Sequence, residues 1–237
     1  MKTIATDVSA AAVSPAASAA AAPTGSPRRV VREDIEWCDV WISKADQNSI
    51  PHVLLVGDSI TKSYHGAVAK QLEATASCAR LTTSACVCDP VFQLQLEAVL
   101  TGWQFAVIHF NNGLHGMGYL ESEYRLGYEQ ALKVIRKLQP GAKLILVLST
   151  PLQPTSAPNN LNPRVDARNK IVKELAEQFG APINDLHSIS KNHPEHYADA
   201  CHFGSAAKGL QAGQVVNQIT ALINGKPGVG GDGQPAR

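Results

Sequence analysis

Three stretches of the chain are apolar almost without interruption: HVLLVG at 52–57, QFAVIHF at 104–110 and KLILVLST at 143–150. Runs this short, with no polar face, predict strands buried on both sides, as in a parallel sheet. Weaker strands are expected at 80–83 and, as APIND, at 181–185. Between these runs the spacing becomes helical. One helix is expected over 60–75. Asp89-Pro90 opens a second, with Asp as N-cap and Pro in the first turn, ending near Thr101-Gly102. Over 121–138, Tyr124, Tyr128, Ala131, Leu132 and Ile135 trace one face, and Pro140-Gly141 stops the helix. A fourth helix opens at Asn162-Pro163 and closes at Gly180, and a last one covers 205–223.

Strands alternating with helices predict right-handed crossovers and a parallel sheet of about five strands covered on both faces. The segment VVREDIEWCDVWI at 30–42 precedes the first strand, and its Val31, Ile35, Val40 and Trp41 can lay an extra piece against the body. One domain is expected over 29–224. The Ala/Ser/Pro-rich start, 1–28, offers too little large apolar surface to offset chain entropy and is expected to be disordered. The Gly/Pro-rich end, 225–237, is expected to be loose.

Charge narrows the function classes. The 237 residues carry 21 Lys plus Arg against 20 Asp plus Glu, a formal net charge of +1. No basic footprint for nucleic acid and no polybasic membrane patch is present, and no apolar run nears the ~20 residues of a bilayer span. A soluble protein without a signal peptide's dense apolar core is expected, in either a reducing or an oxidising compartment. Five cysteines (Cys38, Cys78, Cys86, Cys88 and Cys201) are an odd number without a disulfide framework. Cys86-Val87-Cys88 has no second ligand pair at structural-zinc spacing, so free thiols are expected and no metal.

Sites in open parallel sheets form beyond the carboxyl ends of the strands. After the first strand come Gly57, Asp58 and Ser59; after the third, Asn111, Asn112 and His115; near the last helix, Asp199 and His202. Ser59 at a helix start can turn its Oγ to the cleft, and its N–H is one of the unpaired donors of the helix N-terminus. It can attack a carbonyl, or it can simply cap the helix. Asp199 and His202, three apart, allow a carboxylate to hold an imidazole as base. A chain of this length holds an Asp-x-x-His by chance about one time in three, so position rather than spacing gives this one weight. Asn111 and Asn112 can each donate an amide N–H to an oxyanion, or form an ordinary Asn-Gly turn. His115 is expected to line the pocket or serve structurally, and His109 to pack inside its strand.

Taken together, "GDS" at 57–59, "FNNGLHG" at 110–116 and "DACH" at 199–202 resemble the blocks of the SGNH/GDSL hydrolase superfamily. The resemblance covers about 36–223. It implies a flavodoxin-like three-layer α/β/α sandwich and a serine esterase using Ser59, His202 and Asp199. It also implies an oxyanion hole from the Ser59 N–H and from Asn111 or Asn112. No metal or organic cofactor is implied, and the expected partner is a small-molecule or carbohydrate ester. Removal of acetyl groups from a carbohydrate is the leading expectation. A lipase or thioesterase, and a non-catalytic carbohydrate-binding relative, are the alternatives. The superfamily's second block carries a glycine whose N–H completes the oxyanion hole; "RLTTSACVCDPVF" at 80–92 has none. A backbone N–H between Ser84 and Cys88 can take its place.

Overall fold

β2 (His52–Gly57) is buried at every position, and its side chains divide between two cores. Leu54 and Val56 point to one face of the sheet and Val53 and Leu55 to the other, the period-two alternation of a central strand. The computed structural model describes residues 29–153 and 161–225. The tail expected at 1–28, the tail expected at 225–237 except for Gly225, and part of the loop after the strongest strand (154–160) lie outside the described residues.

The remaining elements follow in chain order: β1 (Cys38–Trp41), α1 (Ser59–Leu72), β3 (Ser77–Thr83), α2 (Pro90–Gly102), β4 (Val107–Phe110), α3 (Glu121–Leu138), β5 (Lys143–Val147), α4 (Asn162–Phe179), β6 (Ile183–Asn184), α5 (Leu186–Lys191), a 3-10 turn at Pro194–His196 and α6 (Ser205–Ile223). The sheet order is β1-β3-β2-β4-β5-β6, and β3 to β6 run parallel with β2. The five expected strands are all present, the second longer than expected.

A sixth strand adds an antiparallel edge to the expected parallel sheet of about five. β1 pairs antiparallel with β3, Cys38 opposite Thr83 and Trp41 opposite Arg80. It comes from the 30–42 segment. Asp39 fastens it by ion pairs to Lys62 of α1 (2.7 Å) and Arg80 of β3 (3.1 Å). The hydrogen bond from Lys62, with that from Arg80, holds the Asp39 carboxyl below the usual carboxylate range.

Helices α2, α3 and α4 cover one face, burying Phe92, Leu96, Tyr124, Tyr128, Val172 and Leu175. On the other, α1 and α6 pack together over Tyr64, Val68, Val215 and Ile219. The result is the expected three-layer α/β/α sandwich. No helix among the described residues is long and apolar enough to cross a membrane. From β2 the chain moves outward to β3, then returns across β2 to β4. β2 and β4 are therefore neighbours whose connections leave in opposite directions, the arrangement that opens a crevice at the carboxyl ends of a parallel sheet.

Candidate active site

The turn from β2 into α1 sets the first element of the crevice. Gly57 allows it, because a Cβ there would lie 2.0 Å from Thr61 Oγ1. Asp58 caps α1, its side chain accepting the Ile60 N–H at 2.9 Å. Ser59 follows as the first helical residue, half-buried. Capping belongs to Asp58, so the Ser59 hydroxyl is left for another partner.

That partner is His202, whose Nε2 lies 2.8 Å from Ser59 Oγ. His202 Nδ1 lies 2.8 Å from Asp199 Oδ2. An ionised carboxylate only accepts, so in the neutral ring Nδ1 carries the proton and Nε2 presents its lone pair to the serine hydroxyl. Asp199 is fixed in turn by the backbone: Oδ1 accepts the N–H of Cys201 at 2.9 Å and of His202 at 2.7 Å. Those two bonds, reinforced by His202, hold the exposed Asp199 carboxyl far below the usual carboxylate range.

The turn bearing Asp199 and His202 is a small closed hairpin. Tyr197 and Phe203 bridge across it, with ring centroids 4.5 Å apart, and Phe203 anchors it in the core shared by α1 and α6. The Tyr197 hydroxyl donates to Pro151 O at 2.7 Å, and the Gln153 N–H to Ala200 O at 2.9 Å, tying the hairpin to the chain beyond β5. Cys201 sits beside the imidazole, its Sγ 3.5 Å from His202 Nδ1, and burial pushes its thiol up to about 11.

The two asparagines are held differently from what their place in the sequence suggests. The Asn111 amide donates to Val147 O at 3.0 Å and to Ser149 Oγ at 3.2 Å. Both of its N–H groups thus have acceptors. Asn112 accepts the Val87 N–H at 3.1 Å and donates to Ala85 O at 2.9 Å, so it fastens the loop after β3 to the loop after β4. Asn112 is a loop clamp, with one of its two amide N–H groups committed to Ala85 O.

Open backbone donors lie in both loops among the described residues. Within the glycine-less second block, the N–H groups of Ser84, Ala85 and Val87 bond to Trp37 O, Thr83 Oγ1 and Asn112 Oδ1. That of Cys88 turns to the Cys86 sulfur. Cys86 N–H and Ser59 N–H have no acceptor among the described residues.

Arg168 is a site residue that sequence reasoning missed. It is fully buried, and its guanidinium donates to the carbonyls of Gly113 (2.9 Å), His115 (2.7 Å) and Gly116 (2.8 Å) while lying 4.7 Å from the centroid of the Tyr124 ring. The loop after β4 is thereby folded around one cation. A signal was available: Arg168 lies on the face of α4 traced by Val165, Val172 and Leu175, at helical spacing. At the rim, His115 takes the structural role, pairing through Nδ1 with Glu33 at 2.8 Å and meeting Trp37 edge to face. His109 is buried in β4 with Nε2 at 2.9 Å from Asn184 Nδ2; burial lowers its pKa to about 3, so the ring is neutral. The five cysteines are all free thiols.

Comparison with protein-family models and with curated proteins gives no match. Solved structures match over most of the chain. A carbohydrate esterase family 3 protein from Talaromyces cellulolyticus superposes with a TM-score of 0.61 at 16% identity, covering 75% of this chain and 100% of that one. A member of the lipolytic protein G-D-S-L family from Veillonella parvula gives 0.60 at 15% identity, covering 71% and 98%. An acetyl xylan esterase gives 0.55 at 16%, covering 69% and 97%. Together with the strand order and the helices on both faces, these likenesses establish that the chain has the fold of the SGNH/GDSL hydrolases.

Proposed function

We propose that the chain is a serine-dependent ester hydrolase that removes acetyl groups from a carbohydrate. The pair of 2.8 Å contacts joining Ser59, His202 and Asp199 carries this reading. Ser59 Oγ attacks the ester carbonyl carbon as its proton passes to His202 Nε2, and the carbonyl π pair becomes an oxyanion. Asp199 stabilises the imidazolium and keeps Nδ1 protonated. The Ser59 and Cys86 N–H groups receive the oxyanion. Asn111 joins them by exchanging Ser149 Oγ for it. Collapse expels the alcohol, which takes its proton from His202. Water then repeats the sequence on the acyl-enzyme, releasing the acid and restoring Ser59.

Two features favour a short acyl group on a sugar. The half-open space lined by Ile60, Asn111 and Leu114, the first of these the residue after Ser59, is only about 10 Å³, which leaves no room there for a long acyl chain. At the rim, Trp37 is half-buried between His115 and Lys62, whose ammonium lies 5.5 Å from the centroid of its ring. It offers an amphipathic ring against which a sugar can lie. That structures sharing this fold are described as carbohydrate and acetyl xylan esterases supports the same choice.

The test is acetate release from acetylated xylan, beside hydrolysis of p-nitrophenyl acetate and palmitate, by wild type and Ser59→Ala. Acetate release and acetate-ester turnover, both lost in Ser59→Ala, are expected. Preference for the palmitate would replace the acetylesterase by a lipase. Equal rates in the two proteins would remove Ser59 from the reaction.

A further inference from the structure

The hairpin bearing Asp199 and His202 is entered through His193-Pro194-Glu195-His196, four residues the proton relay does not use. Proline at the start of the 3-10 turn sets a tight bend, which brings three side chains to one place. His193 Nδ1 lies 3.2 Å from Glu195 Oε1, and His196 Nε2 lies 3.4 Å from the same oxygen. All three ligand atoms lie within 4.8 Å of one another. In a tetrahedral zinc site with bonds of ~2.0–2.1 Å, neighbouring ligand atoms are ~3.3 Å apart. Two of the three separations already have that value.

We propose that His193, Glu195 and His196 bind a zinc-class divalent ion at the entrance to the Asp199–His202 turn. Two imidazoles and one carboxylate suit zinc and its transition-metal neighbours, whereas calcium and magnesium take oxygen ligands. One ligand position stays open to solvent. His196 Nδ1 is buried and has no hydrogen-bond partner among the described residues, so no hydrogen bond there keeps the lone pair away from Nε2. The rings now lie stacked, their centroids 4.7 Å apart and their planes 10° from parallel. Binding draws them out of this stack by side-chain rotation, which their partial exposure permits.

A bound ion would brace the hairpin. The carbonyl of His196 accepts the Gly204 N–H at 2.7 Å, so the ligand-bearing turn closes directly onto the hairpin's other end. A second set of donors, Asp199, Cys201 and His202, also falls within 4.8 Å. It is the poorer site. Asp199 already holds two backbone N–H groups and the imidazole, and the Cys201 thiol must lose its proton to bind.

The experiment titrates the full chain, first stripped with a chelator, with zinc chloride in a calorimeter, using cobalt(II) absorption as a second probe. One equivalent is expected to bind with a rise in melting temperature. Glu195→Gln and His196→Ala should each weaken binding at least ~10-fold and abolish the rise, and Cys201→Ser should bind as wild type does. These side chains are partly exposed, so the metal-free variants should melt as the metal-free wild type does; that comparison separates lost binding from lost folding. No saturable binding by the wild type would overturn the proposal, as would undiminished binding by His193→Ala/His196→Ala. Loss confined to Cys201→Ser would overturn it in favour of the second donor set. None of these outcomes depends on Ser59 being a nucleophile.

Discussion

His202 Nε2 and Ser59 Oγ lie 2.8 Å apart although 143 positions separate them in the chain. Nothing local brings them together. Ser59 is placed by the end of β2 and the cap of α1, and His202 by a hairpin whose Phe203 is buried against α1 and α6. Groups that act as one relay lose their function together. Ser59→Ala and His202→Ala should each lower kcat/KM for p-nitrophenyl acetate by about 10⁴-fold, and the double variant should lose hardly more than either. Losses that multiply would mean that the two act separately.

Asp199 should be a carboxylate throughout the working range, because its two backbone donors hold its pKa far down. Asp199→Asn puts an amide N–H where Nδ1–H now points and favours the wrong tautomer, so kcat should fall by about 10⁴-fold. The loss should persist at both pH 5.5 and pH 8 (roughly either side of neutral, both above the ordinary carboxylate value). A loss that disappears toward acid pH would show Asp199 titrating there. For stability the sign is that of a depressed carboxylate. Its contribution is whole above the unfolded value of about 4 and is lost as pH falls below that. Exposure keeps that contribution small.

The Asn111 amide divides two accounts of the oxyanion hole. If it exchanges Ser149 Oγ for the oxyanion, Ser149→Ala should leave kcat at or above the wild-type value, while Asn111→Ala should cost about 10²-fold, or ~3 kcal/mol. Were the amide only a strut between β4 and β5, both variants would lower the melting temperature and neither would change kcat by that factor.

Most of the scaffold was legible because burial leaves a plain trace. The continuous apolar runs at 52–57 and 143–150 mark strands covered on both faces, and Ser59 stands where such a run meets a helix. β1 was not legible as a strand. It is four residues long, with Cys38, Val40 and Trp41 all exposed, and its place is set by Asp39 reaching Lys62 and Arg80. α5 is six residues, too short for a periodic signal. The fate of Asn111 was hidden for another reason: its acceptors, Val147 O and Ser149 Oγ, are 36 and 38 positions away. A residue's type announces what it can donate, and only the fold decides to whom.

Arg168 should be required for the shape of the loop after β4 rather than for charge at the reacting atoms. Arg168→Met removes the donors to three carbonyls at once, two of them in buried bonds and one part-buried, and each unpaired buried group costs ~1–3 kcal/mol. A loss of roughly 3 kcal/mol or more in urea unfolding is expected, with reduced activity. Arg168→Lys should recover little, since an ammonium gathers its donors on one nitrogen and cannot span carbonyls now held by two guanidinium nitrogens. Full recovery by lysine would show that charge alone is needed.

Cys86 tests whether a thiol or a backbone N–H replaces the second-block glycine. Hydrogen bonds from Cys88 make Cys86 the more acidic of the two thiols, so a chemical role for its sulfur is a real competitor. Against it, Cys86 is 3% exposed, and its sulfur faces Cys88. Its N–H, by contrast, has no acceptor among the described residues, while the N–H groups on either side of it do. Cys86→Ala keeps that N–H and removes the sulfur. Its kcat/KM should stay within about 3-fold of wild type, a change below 1 kcal/mol. The same variant should resist whatever inactivation a thiol reagent causes by entering at this position. A fall of 100-fold or more (roughly 2.7 kcal/mol) in a variant that melts like the wild type would place the sulfur, and not the peptide N–H, at the reacting centre.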